Sequence, residues 1–177
     1  PFLGTESAYY LGINRNKKSI CLDIKTKEGF KILKDLIKKS DVVIDNFKPG
    51  FWNKLGLTDN WFNKNVQNVV RTSISGYGVN GPQGGLPGYD FLMQAESGLM
   101  KITGEVNGEP MKLGVAIVDI VTGLNAVISV LSGLLLNKKL KNKNILTEVN
   151  LYNSGIFLLA NVASNTLVSN KDAERYA

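Results

Sequence analysis

The sequence predicts an α/β fold built on a mostly parallel sheet. Three observations carry this. Short apolar runs alternate with helical patterns along the chain. The run Val42-Val43-Ile44 is continuously apolar, as in a strand covered on both faces. Residues 117–136 form a largely apolar stretch of helical length, read as a buried core helix.

The elements follow in order. Residues 1–18 read as loop and end in the basic cluster Arg15, Lys17 and Lys18. Residues 20–24 read as a strand, with Cys21 as a small buried hydrophobe. Thr26 caps a helix running to about residue 39, in which Phe30, Leu33, Leu36 and Ile37 form the apolar stripe and Lys31, Lys34, Lys38 and Lys39 face water. With the strand at 42–44, residues 20–45 make a βαβ unit. Residues 46–50 are a turn, with Pro49 placed to open a short helix. A third strand spans 69–75, and a glycine-rich loop follows to Gly88. Residues 89–100 read as a helix, Asn107-Gly108 as a tight turn, and 117–139 as the long helix. A basic connector at 138–143 leads to a strand at 145–152 and an amphipathic helix at 155–167.

Composition narrows the chemistry. The chain has 177 residues, no His and one Cys. That excludes Ser-His-Asp and Cys-His catalysis, a His general base, an internal disulfide and a Cys cluster for zinc. Catalysis is left to carboxylates, amines, hydroxyls or backbone. The net charge of +6 rests almost entirely on Lys. It reflects either a Lys- and Asn-rich composition or attraction of a small phosphorylated ligand. Nucleic acid is disfavoured, because Arg and interleaved aromatics are scarce. A membrane span at 117–136 is disfavoured too, since Asp119 would face lipid. The chain opens on Pro1 and stops in polar text at Ala177, which reads as a piece of a longer protein.

Two motifs bear on function. Gly76-Tyr77-Gly78-Val79-Asn80-Gly81 is a literal GxGxxG after a strand. A dinucleotide fingerprint must open a helix, and Pro82, Gly84, Gly85, Pro87 and Gly88 follow instead, so the segment reads as a loop bordering a site. Asp119 stands near the start of the apolar helix. It reads as a helix cap or as a carboxylate nucleophile, and the two roles are compatible.

Several segments together resemble the family III CoA-transferases. They are Asn14-Arg15-Asn16-Lys17-Lys18-Ser19-Ile20 with Leu22-Asp23-Ile24-Lys25-Thr26, then Asp41-Val42-Val43-Ile44-Asp45-Asn46-Phe47-Lys48-Pro49-Gly50 with Lys54-Leu55-Gly56-Leu57. Ser73-Ile74-Ser75-Gly76-Tyr77-Gly78, Gly88-Tyr89-Asp90, Ser97-Gly98-Leu99-Met100 and Gly114-Val115-Ala116-Ile117-Val118-Asp119 continue the likeness in order. The resemblance implies the Rossmann-like, parallel-sheet large domain of that family, with residues 1–177 as one incomplete domain and the whole protein an interlocked homodimer. It implies Asp119 as catalytic nucleophile, with coenzyme A thioester as substrate, no tightly bound cofactor and no metal. Leu22, Asp23, Ile24, Lys25, Asn46, Phe47 and Lys48 match coenzyme-A-binding segments, and Lys54 stands where relatives often carry Arg. Tyr89 and Asp90 match a pair near the thioester end.

The implied activity moves coenzyme A from an acyl-CoA to a free carboxylic acid through an aspartyl anhydride and an aspartyl-CoA thioester. Tyr10, residues 14–18 and the Gly76 loop look closest to the branch acting on dicarboxylates such as glutarate, succinate or oxalate. The family's racemases carry a His where Tyr89 stands, and this sequence has none. An α-methylacyl-CoA racemase and a coenzyme-A-binding fragment without turnover are the alternatives. The expected location is intracellular, in cytoplasm or mitochondrial matrix, with no membrane or nucleic-acid partner.

Overall fold

A computed structural model of the chain describes residues 1–140 and 143–175. Two compact units emerge, Pro1–Leu36 and Ile37–Ala177. In the first, strands β1 (Phe2–Leu3) and β2 (Glu6–Ser7) pair antiparallel. Helix α1 (Ala8–Ile13) follows, because Ser7 Oγ accepts the Tyr10 N–H at 3.0 Å and so satisfies an orphan donor of its first turn. Residues 1–18 are therefore not all loop.

The expected strand at 20–24 does not form. A strand exists only beside a partner, and no described strand runs along these residues, so an apolar run there stays irregular. Ile20 is 63% exposed, and Cys21 is exposed, not buried. The βαβ unit is thus reduced to its helix and second strand. Helix α2 (Lys27–Lys38) starts as the sequence predicts: Thr26 Oγ1 accepts the Gly29 N–H at 3.0 Å.

In the second unit, β3 (Val42–Asp45), β4 (Val70–Ser75) and β5 (Ile145–Asn150) form a parallel sheet in the order β3-β4-β5. Val42 pairs with Val70, and Val70 with Ile145. The central strand β4 is the buried one, with Val70 and Thr72 wholly covered, whereas Ile44 on β3 is 55% exposed. Short helices α3 (Phe51–Lys54) and α4 (Asp59–Asn65) lie between β3 and β4. Pro49 stands before α3 rather than at its first position, which Phe51 takes after Gly50. Phe62 of α4 is fully buried and packs edge-on to Trp52 at a 6.5 Å centroid separation.

Helix α5 (Asp90–Glu96) and a 3-10 turn (Leu99–Ile102) replace the single helix expected at 89–100. The Asn107-Gly108 turn is present, closed by Gly108 N–H to Glu105 C=O at 3.0 Å. Helix α6 (Ile117–Leu140) spans the length expected. Lys141 and Asn142 of the expected basic connector lie outside the described residues. The helix predicted at 155–167 is two helices, α7 (Leu151–Leu158) and α8 (Asn161–Ser169), separated where Ala160 takes φ 46°. Helix α7 starts early because Asn150, at the end of β5, accepts the Asn153 N–H at 2.8 Å.

Helix α6 corrects one expectation in detail. Its buried face holds small and medium side chains, Val118, Thr122, Ala126, Gly133 and Asn137, rather than the large aliphatics. A Cβ on Gly133 would come within 2.7 Å of Val70 Cγ1, so glycine there lets α6 lie directly on β4. Asn137 Nδ2 donates to Asn68 C=O at 2.7 Å. The large aliphatics Ile120, Leu124, Ile128, Leu131 and Leu135 are each more than half exposed. The helix is long and apolar enough to cross a membrane by length and composition, yet one of its faces is a packing face against the sheet.

Candidate active site

The site forms at the carboxyl ends of the parallel strands, where open α/β sheets place their ligand crevices. Asp45 ends β3 and is buried. Its Oδ2 accepts Trp52 Nε1–H and Ser73 Oγ–H, each at 2.8 Å, and its Oδ1 accepts Phe47 N–H at 3.2 Å. A buried carboxylate with three donors is fully used in structure. It fixes the turn carrying Asn46, Phe47 and Lys48. Asn46 Nδ2 donates to Ile74 C=O at 2.8 Å, tying the same turn to β4.

Across from this turn runs the glycine loop. Its stems touch: a Cβ on Gly76 would lie 2.5 Å from Gly88 N, and one on Gly88 would lie 2.8 Å from Gly76 Cα. Only glycines allow this approach. Glu148 of β5 accepts Val79 N–H at 2.8 Å and anchors the loop to the sheet. No helix opens at Gly76, in line with the prolines and glycines that follow it. Between turn and loop lies a cleft of about 170 Å³ whose walls include Asn46, Phe47, Lys48, Gly76, Gly88 and Tyr89. Lys48 is the one cation lining it among the described residues. A second hollow of about 130 Å³ shares Phe47, Lys48, Pro49 and Ser75 and reaches Glu148.

Tyr89, on the cleft wall, is also the residue before α5. Next to it, Asp90 Oδ2 accepts the Val118 N–H at 2.7 Å and the Asp119 N–H at 3.0 Å. The cap of α6 is therefore Asp90 and not Asp119. Asp119 sits in the first turn, exposed, and no hydrogen bond or ion pair engages its carboxylate among the described residues. Partial burial, and after it the charge of Asp90, hold the Asp119 carboxyl above its ordinary value of 3.8. Val118 beside it is fully buried in a cluster with Met93, Leu99 and Leu151, which gives the exposed carboxylate a rigid base. Burial and the nearby Glu96 charge push the Tyr77 hydroxyl above 10.0, so it stays protonated at neutral pH.

The sequence matches CoA-transferase family III over residues 1–176. The chain belongs to that family. It is 42% identical over 176 residues to the human succinyl-CoA:glutarate CoA-transferase, covering 99% of this chain and 40% of that protein. It is 38% identical over 129 residues to a formyl-CoA:oxalate CoA-transferase of Streptomyces avermitilis, covering 73% of this chain and 31% of that protein. In structure it resembles a CAIB/BAIF family protein from Brucella suis, with TM-score 0.85 and 37% identity over 91% of this chain and 42% of that one. The chain thus spans about 40% of the length of the human relative.

Of the family III residues expected from sequence, Asn46, Phe47, Lys48 and Tyr89 meet in one cleft. Lys54 ends α3, exposed, and lines neither hollow. Leu22, Asp23, Ile24 and Lys25 lie in the first unit, on the segment leading into α2. There Asp23 Oδ1 accepts Lys25 N–H at 2.9 Å and Asp23 C=O accepts Thr26 Oγ1–H at 2.8 Å, a local turn that caps the helix entrance. Sequence reasoning missed Asp45, Glu148 and Gln94. Asp45 stands in the quoted run 41–50, but nothing in that run marks it as the residue that ties the turn down.

Proposed function

We propose that this protein transfers coenzyme A from an acyl-CoA to a free carboxylic acid, with Asp119 as the acyl acceptor. The observation that carries the reading is Asp119 itself: an exposed carboxylate on the first turn of α6, its backbone fixed by the residue adjoining the cleft wall. Family membership supports the substrate class.

An Asp119 carboxylate oxygen attacks the thioester carbonyl. The C–S bond breaks, coenzyme A leaves as thiolate, and an anhydride joins the acyl group to Asp119. The thiolate then attacks the Asp119 carbonyl carbon, expelling the donor acid as its carboxylate and leaving an aspartyl-CoA thioester. The acceptor carboxylate runs the same two steps in reverse, and Asp119 is regenerated ionised. No net proton is taken up, so a chain without histidine suffices. Lys48 attracts the phosphates of the coenzyme as a point charge. The dicarboxylates glutarate, succinate and oxalate are the acceptors of choice, in line with the names of the relatives. The outward aliphatic face of α6 supports a homodimer as the working form.

The test is mass spectrometry of the protein, expressed from its complete reading frame, after incubation with succinyl-CoA. A coenzyme A adduct mapped to Asp119, together with turnover in a panel of dicarboxylic acids, is the expected result. Coenzyme A binding with no adduct rejects transfer. Exchange of an α-proton for deuterium points to the racemase reaction.

A further inference from the structure

Gln94 is 1% exposed and uses both ends of its amide. Its Nε2 donates to Asp90 Oδ1 at 2.5 Å and to Val115 C=O at 3.4 Å, while its Oε1 accepts Leu113 N–H at 2.8 Å. Asp90 and Gln94 stand one turn apart on α5, so they share a face. Asp90 takes the first N–H groups of α6; Gln94 takes the segment that leads into it. Between them they hold residues 113–119 at both ends.

We infer that Asp90 and Gln94 are positioning residues, a polar clamp that fixes the backbone of Asp119 to the residue that follows Tyr89 of the cleft wall, and that Asp90 is not a coenzyme ligand. The inference rests on Asp119 being the acyl acceptor. Both Asp90 oxygens are already bonded within the protein, three donors in all, and a carboxylate is a poor neighbour for a phosphate-rich coenzyme. The chemistry needs the clamp. The Asp119 carbonyl is attacked from two directions in turn, by thiolate and by acid, and a displacement of about 1 Å in such a group lowers rates about a hundred-fold. Asp90 also takes up the positive end of α6, which would otherwise stabilise and blunt the ionised Asp119. The raised Asp119 pKa agrees with a carboxylate kept basic beside a second one.

The test is Asp90→Asn in the protein expressed from its complete reading frame, run beside the unsubstituted protein. Asn keeps the shape and one acceptor but loses the charge and the second acceptor. The expected result is a fall in kcat of about a hundred-fold with KM for succinyl-CoA unchanged. Amide hydrogen exchange at Val118 and Asp119 rises in the same variant. Gln94→Glu, which sets a like charge against Asp90, gives the same split. If Asp90→Asn does not fold, Asp90→Glu, with its acceptors displaced by one methylene, is read in the same way. With the Asp119 adduct present in the unsubstituted protein, a raised KM at constant kcat makes Asp90 a coenzyme ligand and overturns the clamp. Unchanged exchange at Val118 and Asp119 overturns it too. No adduct in the unsubstituted protein overturns the transferase reading, and the clamp's role with it.

Discussion

At its first turn α6 presents Asp119, exposed, its N–H bonded to Asp90 and its carboxylate without a bond among the described residues. About four turns later it presents Gly133, pressed so closely on Val70 that no side chain fits. One end of the helix leaves a charged group free; the other end leaves no space at all. The close-packed end gives the free end its fixed position, since a carboxylate can be held in one place only if the helix carrying it cannot rock. Close approach to the sheet likewise requires the buried face to be free of large aliphatics, which point outward.

The largest effect should come from the free end. Asp119→Ala is expected to lower the proposed coenzyme A transfer by about a thousand-fold or more, measured by following product acyl-CoA, because under that proposal no other described group takes over the covalent step. Activity retained in that variant rejects the comparison at its root.

At the packed end, Gly133→Val forces two methyl groups toward Val70 and Ile145. It is expected to destabilise the fold by about 2–3 kcal/mol, read as a lowered midpoint in urea. Equal stability would mean that α6 does not bear on β4 as described.

A third measurement sharpens the free end. In the proposed reaction Asp119 reacts ionised, and its pKa lies above 3.8, by burial first and by the Asp90 charge second. The rate therefore falls as pH drops through that raised value, and the acid limb of the profile lies above pH 3.8. In Asp90→Asn the second cause is gone and the first stays, so the limb moves to lower pH. A limb that moves upward contradicts the pairing of the two carboxylates.

The smallest effect is at Gly123, on the same helix but with nothing within 4 Å of the place an added Cβ would take. Gly123→Ala is expected to stabilise by about 0.5–1 kcal/mol through helix propensity alone, seen as a raised urea midpoint. Loss of stability there would show that this stretch of α6 is as crowded as Gly133.

The parts legible in the sequence are those whose signal is local. The strands at 42–45 and 70–75, the Thr26 cap and the long helix are readable from runs and capping residues within a few positions of one another. Asp119 stands out as a carboxylate near the start of an apolar helix, and the family resemblance adds its role and the cleft residues Asn46, Phe47, Lys48 and Tyr89. What the sequence hides depends on a partner far along the chain. Residues 20–24 have strand-like composition and no described strand beside them. The facing of α6 is unreadable because aliphatics occupy most of its circumference, and burial is decided by β4, more than 40 residues away in sequence. The Asp90 bond to Asp119 spans 29 positions, and Gln94 to Leu113 spans 19, with no pattern in either segment announcing the other.

The touching stems of the glycine loop have a consequence for how such a protein can vary. Because Gly76 and Gly88 meet, β4 and α5 are joined at the neck whatever the length of chain between them. Residues can be exchanged, inserted or deleted around Asn80 to Gln83 at little entropic expense, since loop closure grows only slowly with length. The loop is thus a replaceable rim on a fixed hinge of two glycines, and a graft of a longer or shorter tip would reshape the mouth of the cleft while leaving Tyr89 and Asp90 where they are.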